Sequence, residues 1–417
     1  MHSRRGRPTV ADVATHAGVS TATAARALGG YGQVGRGTAD AVRAAADQLG
    51  YRRNALARSV VTGRSMTLGL VVGDIANAFF AAVTRGFGDV AGREGFDVIL
   101  MSTGEDPRRV ESAVELLLDS RVDALAVTPT SLVAGPMLAW ATEHGPPVIV
   151  LDRRLSGLRA DYVGIDNVKA SQQAVDALVR LGHRRIALVT GAGTDSVSRP
   201  SGPCGRSGAV RGGRSATGGD RWAVSTGRDR VRGYRRGLSG AGLKADPRLL
   251  QVGGFGRESA ATATRRLLDL SDRPTAILST DSVLALGVLH GAALAGTAVP
   301  DDLSVVGFDD ADWATVVDPA LTVVAQPAHD IGAVAARRLI GRLTGAVTGA
   351  ARSLRLPTTI VARASWGPPP KRTPSHPAPQ SRSVSSTRRT GPASTAASVG
   401  PGPRRVEPVG EEPRVGT

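Results

Sequence analysis

Apolar residues recur at helical spacing over the first fifty positions and then gather into strand-length runs. Val10, Val13 and Ala14 form one apolar stripe, with Thr9 placed to cap its start. Ala17-Gly18-Val19 breaks that helix. Gly18 is free to take positive φ, Val19 points inward, and Ser20 caps a second helix running to about Leu28. A third helix is predicted from Thr38 to Leu49, with Val42, Ala45, Ala46 and Leu49 on one face and Gly50 as its stop. A short helix capped by Asn54 and a linker over 62–65 follow. From Thr67 the texture changes. Buried-strand runs at 68–72, 96–100, 124–127, 148–151, 186–189, 276–278 and 303–306 alternate with amphipathic helical segments. This is the βα rhythm of doubly wound parallel sheets, and the count suits two sheets better than one. A boundary between lobes is expected near 152–167, with a return near 321–326.

The first two helices, joined by a glycine-containing turn, have the helix-turn-helix layout, in which the second helix enters a DNA major groove. Charge supports this reading. Residues 1–64 contain no Lys and no Glu, and ten arginines face only Asp12, Asp40 and Asp47. A segment this small does not need so many arginines for solubility, so a polyphosphate partner is favoured over a solvated bundle with no partner.

The chain as a whole has 417 residues and a formal net charge of +16, concentrated in the head and the C-terminal region. The single cysteine, Cys204, excludes an intrachain disulfide and fits a reducing cytoplasm. No run of about 18 apolar residues and no N-terminal apolar signal occurs, so a cytoplasmic, nucleoid-associated protein without membrane contact is expected. Aromatic residues make up only 3% of the chain, which draws attention to any that falls in a loop. Two segments lack hydrophobic periodicity and are expected to be disordered. They are 196–224, rich in Gly, Ser and Arg, and 367–417, rich in Pro, Ser, Thr and Arg. No phosphate loop, no Ser-His-Asp arrangement, no metal-ligand cluster and no cofactor motif stands out. Gly191-Ala-Gly193 lacks the third glycine and the following helix of a dinucleotide fingerprint. His183, just before a strand, reads as structural.

Several motifs in order carry a resemblance: Thr9-Val-Ala-Asp-Val-Ala14, Ala17-Gly-Val-Ser20, Asn54-Ala-Leu-Ala-Arg-Ser59, Asp74-Ile-Ala-Asn77 with Phe79-Phe80, and Leu151-Asp-Arg153. Gly182-His-Arg-Arg-Ile186, Arg230-Val-Arg-Gly-Tyr234, Val305-Val-Gly-Phe-Asp-Asp310 and Pro319-Ala-Leu-Thr322 continue the series. From Pro8 to Trp366, apart from the insertion, the chain resembles lactose-repressor-type (LacI/GalR) transcriptional regulators. The resemblance implies a headpiece (1–53), a hinge helix with linker (54–65) and a two-lobed core similar to periplasmic sugar-binding proteins (66–366). It also implies a homodimer on a palindromic double-stranded DNA operator, and a sugar- or nucleoside-like effector between the lobes.

Mapped onto this sequence, the family's DNA contacts fall on Ser20, Thr21, Ala22, Thr23, Arg26, Asn54, Ala57 and Val60. Thr21, Ala22 and Arg26 would face bases, while Ser20 and Thr23 would hold the backbone. Val60 stands where a leucine usually wedges into the minor groove. The missing methylene is worth about 0.8 kcal/mol per wedge. Ala24-Ala25, Gly29, Gly35 and Arg53 also depart from the family pattern. The effector contacts map to Asn77, Phe79, Phe80, Asp152, Asp166, Arg230, Asp281, Trp313 and Gln326. Thr280 occupies a position where the family often has Asn, so ligand identity does not carry over. Phe79 and Phe80 also suit core packing at a helix start, and Asp281 also suits a helix cap. The readings set against a regulator are a decayed, weakly DNA-binding member, a sugar-binding protein without a regulatory role, and an enzyme. The last lacks a catalytic constellation.

Overall fold

The computed structural model describes residues 8–29, 32–51, 64–131, 135–191 and 224–371. The hinge candidates Asn54, Ala57 and Val60, nearly all of the 196–224 insertion and most of the C-terminal segment lie outside the described residues.

Three helices form the head: α1 (Val10–His16), α2 (Thr21–Gly29) and α3 (Arg36–Gln48). Thr9 opens α1 with a reciprocal capping box: its hydroxyl accepts from Asp12 N, and the Asp12 carboxylate accepts from Thr9 N at 2.8 Å. That bonding holds the Asp12 carboxyl below its usual range. Gly18 turns the chain at φ +66°, a conformation that costs a Cβ-bearing residue about 1–2 kcal/mol. Val13, Ala14, Ala24, Ala27, Leu28, Ala39, Val42, Ala45 and Ala46 make a small, alanine-rich core, with Val19 half-buried beside it. The third helix begins at Arg36, two residues earlier than the pattern predicts. Gly35 precedes it and offers no side-chain cap.

The remainder carries two six-stranded sheets. The first lobe holds β1 (Thr67–Val72), β2 (Asp97–Ser102), β3 (Ala124–Val127), β4 (Val148–Leu151) and β5 (Asp161–Ile165). The second holds β6 (Ile186–Gly191), β7 (Leu250–Gly253), β8 (Ala276–Ser279), β9 (Ser304–Phe308) and β10 (Thr322–Ala325). Late strands β11 (Ser353–Leu356) and β12 (Thr359–Val361) complete the first and second sheets respectively. The sheet orders, β11-β5-β4-β3-β1-β2 and β12-β10-β9-β8-β6-β7, repeat one topology. All pairings are parallel except β10 with β12.

Helices α4 (Ala78–Arg93), α5 (Pro107–Asp119) and α6 (Pro136–His144) belong to the first lobe, with α7 (Asn167–Arg180), α8 (Ser225–Gly240), α9 (Arg257–Leu268) and α10 (Ser282–Leu294) in the second. The chain crosses between lobes after β5 at Asp166, again at Gln326-Pro327, and a third time between β11 and β12. The second crossing leads into α11 (Ala328–Thr344), which packs on α4 of the first lobe. Those two helices touch through glycines. A Cβ on Gly332 would overlap the carbonyl of Val83, and one on Gly86 the carbonyl of His329. Because backbone on both sides must move, Gly332→Ala is expected to destabilise the core by about 1–3 kcal/mol, read as a lower urea midpoint with unchanged slope.

Candidate functional site

In the head, Ser20 caps α2. Its Oγ accepts from Thr23 N at 3.1 Å and pairs with Thr23 Oγ1 at 2.8 Å. Thr21, Ala22 and Arg26 are exposed, on the opposite side of α2 from buried Ala24, Ala27 and Leu28. The first turn of α2 therefore presents free backbone N–H groups and short side chains, with a guanidinium one turn on. This arrangement suits phosphate and base edges in a groove.

In the core, the C-terminal ends of the central strands from both lobes converge on one cleft. It is nearly closed, with a cavity volume of about 30 Å³. Of the nine effector candidates, Asn77, Phe79, Phe80, Asp152, Arg230, Asp281 and Gln326 line it. Two sit elsewhere. Asp166 caps α7, accepting from Lys169 N, and pairs with Arg355 at 3.2 Å. Trp313 lies on a short 3₁₀ turn and packs against the second-lobe core. Arg153, Phe255, Asp309 and Thr226 line the cleft without having been singled out from the sequence.

Two aspartates hold equivalent places in the repeated topology. Asp152 follows β4 at φ +59°, and Asp309 follows β9 at φ +69°. Left-handed geometry is uncommon for a residue with a side chain, and its cost is accepted here where both carboxyls enter the cleft. Asp281 arrives on a helix start, accepting from Val283 N at 2.7 Å and Leu284 N at 3.3 Å. Arg230, from α8, stands among the three. Its Nε donates to Asn167 Oδ1 at 2.7 Å, Nη1 donates to the Thr280 carbonyl, and the guanidinium lies 4.2 Å from the Phe308 ring centroid. Arg153 is paired with Glu105 in a buried two-pronged contact, Nη2 to Oε1 at 2.8 Å. It lies between two rings, 5.6 Å from the Phe80 centroid and 5.7 Å from that of Phe255.

Burial pushes the carboxyls of Asp152 and Asp281 up, against the pull of Arg153 on the first and of backbone N–H groups on the second. Asp309 is raised from 3.8 to about 7, chiefly by burial, with Asp281 and Asp152 adding to it and Arg230 and Gln326 opposing. Folded Asp309 thus keeps a proton over the range where the unfolded chain has lost it. Stability is expected to fall as pH rises from about 4 to about 7, since the folded state binds more protons there. Urea midpoints across that range test this. Asp309→Asn should flatten the trend.

Three buried side-chain atoms in the cleft have no hydrogen-bond partner: Asp152 Oδ1, Arg153 Nε and Gln326 Oε1. A buried polar atom without a hydrogen-bond partner costs about 1–3 kcal/mol, a cost that a ligand's polar groups would relieve here. Carboxylates, guanidiniums and a side-chain amide, with Phe79, Phe80 and Phe255 in the lining, suit a small molecule rich in hydroxyls, and Phe79 and Phe80 are at the same time buried in the core. The lobes are also joined directly. Asn77 Nδ2 donates to Asp281 Oδ2 at 3.1 Å, Arg154 Nη2 to Asp229 at 2.9 Å, and Arg154 N to Ser225 Oγ at 2.7 Å. Among the described residues no cluster of three His, Cys, Asp or Glu side chains is placed to hold a metal. No helix there is long and apolar enough to cross a membrane. His183 is structural: it is buried, with ring nitrogens bonded to Thr275, Ser304 and the Gly367 carbonyl.

A helix-turn-helix head followed by a two-lobed, cleft-bearing core defines a DNA-binding regulator with a periplasmic-binding-protein-like sensor. Comparisons with known proteins make the assignment specific. Residues 9–54 match the profile of bacterial regulatory proteins of the lacI family. Residues 65–201 match that of periplasmic binding proteins and the sugar binding domain of the LacI family. Residues 175–366 match that of the periplasmic binding protein-like domain. The chain is 32% identical over 369 residues to the HTH-type transcriptional regulator CelR of Thermobifida fusca, covering 87% of this chain and 99% of CelR. It is 31% identical over 331 residues to catabolite control protein A of Priestia megaterium, covering 79% and 91%. A structure of a transcriptional regulator CelR–cellobiose complex superposes with TM-score 0.61 at 30% identity, covering 86% of this chain and all of that one. The lac repressor dimer bound to operator and an anti-inducer shares the fold, with TM-score 0.71 at 23% identity, over 87% of this chain and 100% of that one. The chain belongs to the LacI family of bacterial transcriptional regulators, whose members are regulators and not enzymes.

Proposed function

We propose that the protein is a cytoplasmic, sequence-specific repressor that binds a palindromic operator as a homodimer and is controlled by a small hydroxyl-rich effector. The observation that carries the effector half is the cleft itself, where three polar atoms without a hydrogen bond meet a set of donors and acceptors between two lobes. The DNA half rests on the exposed Thr21, Ala22 and Arg26 at the start of a capped α2, in a head whose charge is arginine without lysine or glutamate. Seven residues act on the ligand in this reading: Asn77, Phe79, Phe80, Asp152, Arg230, Asp281 and Gln326. Arg153 and Asp309 join them. The relative solved with cellobiose supports a sugar. Asn54, Ala57 and Val60 remain the proposed hinge contacts.

The same head also admits the weaker-binding reading. The buried Ala24 leaves the head core small, and Gly35 leaves α3 uncapped. Recovery of DNA fragments bound by the protein across its own genome separates the two. A regulator yields a shared palindromic motif, with half-sites about one helical turn apart. A decayed member yields fragments without one.

A further inference from the structure

Among the described residues, five non-glycine residues have left-handed backbones, and they fall in two places. Asp152 and Asp309, with Glu105 as the partner of Arg153, belong to the cleft. Met66 (φ +56°) and Arg121 (φ +54°) lie together elsewhere, where the chain enters β1 from the hinge side. Between them stands Asp123, just ahead of β3. Its carboxylate accepts three hydrogen bonds from the entering chain: Ser65 N at 2.8 Å, Ser65 Oγ at 3.0 Å and Met66 N at 2.8 Å. The backbone repeats the tie, with Asp123 N donating to the Thr67 carbonyl at 2.8 Å and Asp97 N to the Met66 carbonyl at 2.9 Å. The kink at Met66 is thus over-determined, as a strained residue must be to persist.

A second element reaches the same place. Helix α11 begins two residues after Gln326, whose Nε2 donates to Asp309 in the cleft at 2.6 Å. Its 17 residues span about 25 Å, and its last turn offers the Leu343 carbonyl to Arg64 at 3.5 Å. Arg64, Asp123 and Leu343 line one surface pocket together with Trp140. The helix is held in the first lobe by its glycine contacts with α4, which itself starts at the cleft residue Asn77. One rod therefore has a cleft residue before its first turn and the hinge-side chain at its last.

We propose that Asp123 is a positioning residue: it fixes the direction in which the chain leaves the core for the DNA-reading head, at a joint that α11 connects to the cleft. The proposal rests on the regulator reading above. Without the carboxylate, three donors lose their acceptor and the left-handed Met66 keeps only its backbone ties. The head is then tethered but no longer aimed. Aim matters for a dimer that must set two heads on two half-sites at once, and not for non-specific contact with phosphates.

The test uses the full chain and two duplexes, one recovered by selection from a random-sequence library and one of random sequence. Asp123→Ala is expected to keep a cooperative melt and to bind the random duplex within twofold of wild type. It should bind the selected duplex at least tenfold more weakly, with faster hydrogen exchange at the Ser65 and Met66 amides. Ser65→Ala removes the hydroxyl's bond to Asp123 and the one it accepts from Thr67 N, and keeps the carboxylate. It should show a smaller loss of the same ratio, and it carries the test if Asp123→Ala fails to fold. A selected-to-random ratio unchanged in these variants, while wild type discriminates, overturns the joint alone. A wild-type chain that does not discriminate overturns the regulator reading and the joint with it.

Discussion

Arg230→Ala is expected to weaken effector binding by a factor of about 30 or more while leaving effector-free DNA binding in place. Arg230 is buried and holds fixed bonds to Asn167 and to the Thr280 carbonyl. It is also a positive charge acting on Asp152, Asp281 and Asp309. Its removal takes away a planar set of donors and leaves three buried carboxyls with less compensation. Truncating one partner of a buried, hydrogen-bonded charge contact to a ligand costs about 2–5 kcal/mol of binding, roughly 30-fold to several thousand-fold in affinity. Calorimetry tests this with whichever compound of a sugar and nucleoside panel most raises the melting temperature of the wild type. Arg230→Lys separates charge from shape. A lysine restores the positive charge without the fork, and it should recover only part of the loss. Affinity within a few-fold of wild type in Arg230→Ala would remove the cleft from the mechanism.

Arg26→Ala is expected to have the largest effect on DNA. A guanidinium in two-pronged contact with guanine is worth about 1–3 kcal/mol of discrimination. A dimer makes that contact twice, so the loss doubles to about 2–6 kcal/mol, or roughly 30-fold to 10⁴-fold at the preferred site. The structure leaves Arg26 exposed on α2, its side chain passing Gly32. Specificity should therefore fall without loss of fold, and the change should concentrate at one base position per half-site. Competition binding against single-position operator variants reads this directly. Arg5→Ala is the contrast, lowering affinity for every duplex by a similar factor and reducing the salt slope by about one. Unchanged base preference in Arg26→Ala would make Arg26 a phosphate contact.

Much of this was legible in the sequence because local chemistry and the tertiary fold agree. Thr9, Gly18 and Ser20 each do in the structure what their residue type favours. Long apolar runs such as 68–72 and 186–189 are buried central strands. The pattern does not mark β5, β7, β10, β11 or β12, each of three to five residues. β5 carries Asp161, which Arg338 and Arg342 neutralise, and a glycine. β11 and β12 are edge strands of four and three residues. Asp161 looks like a loop residue until two arginines from α11 arrive. That pairing, with the Arg352 amide, holds its carboxyl down at about 2 against the effect of burial.

The cleft shows the same division. Asp166 and Asn167 are adjacent, yet the first turns out to cap α7 and the second turns in to accept from Arg230. A one-residue offset at a helix start decides this, and periodicity does not resolve it. Trp313 is an aromatic loop residue whose ring found a core to pack against. Phe255, in the run Gly253-Gly254-Phe255-Gly256, is the aromatic that lines the ligand space. Scarce aromatics in glycine-rich loops were the available signal for it. Arg153 and Asp309 lay inside quoted motifs. What the sequence could not supply was the repeated topology that sets Asp152 and Asp309 at equivalent strand ends.

The central claim is that an occupied cleft changes how the head grips a particular duplex. The most direct measurement is the affinity of the purified protein for its genome-recovered palindrome against random competitor at moderate salt, with and without the compound that binds the cleft. The account predicts a preference of at least a hundredfold without the compound and at least a tenfold change in operator affinity when it is added. Equal affinity for palindrome and random DNA, or a preference that the bound compound leaves untouched, would contradict it.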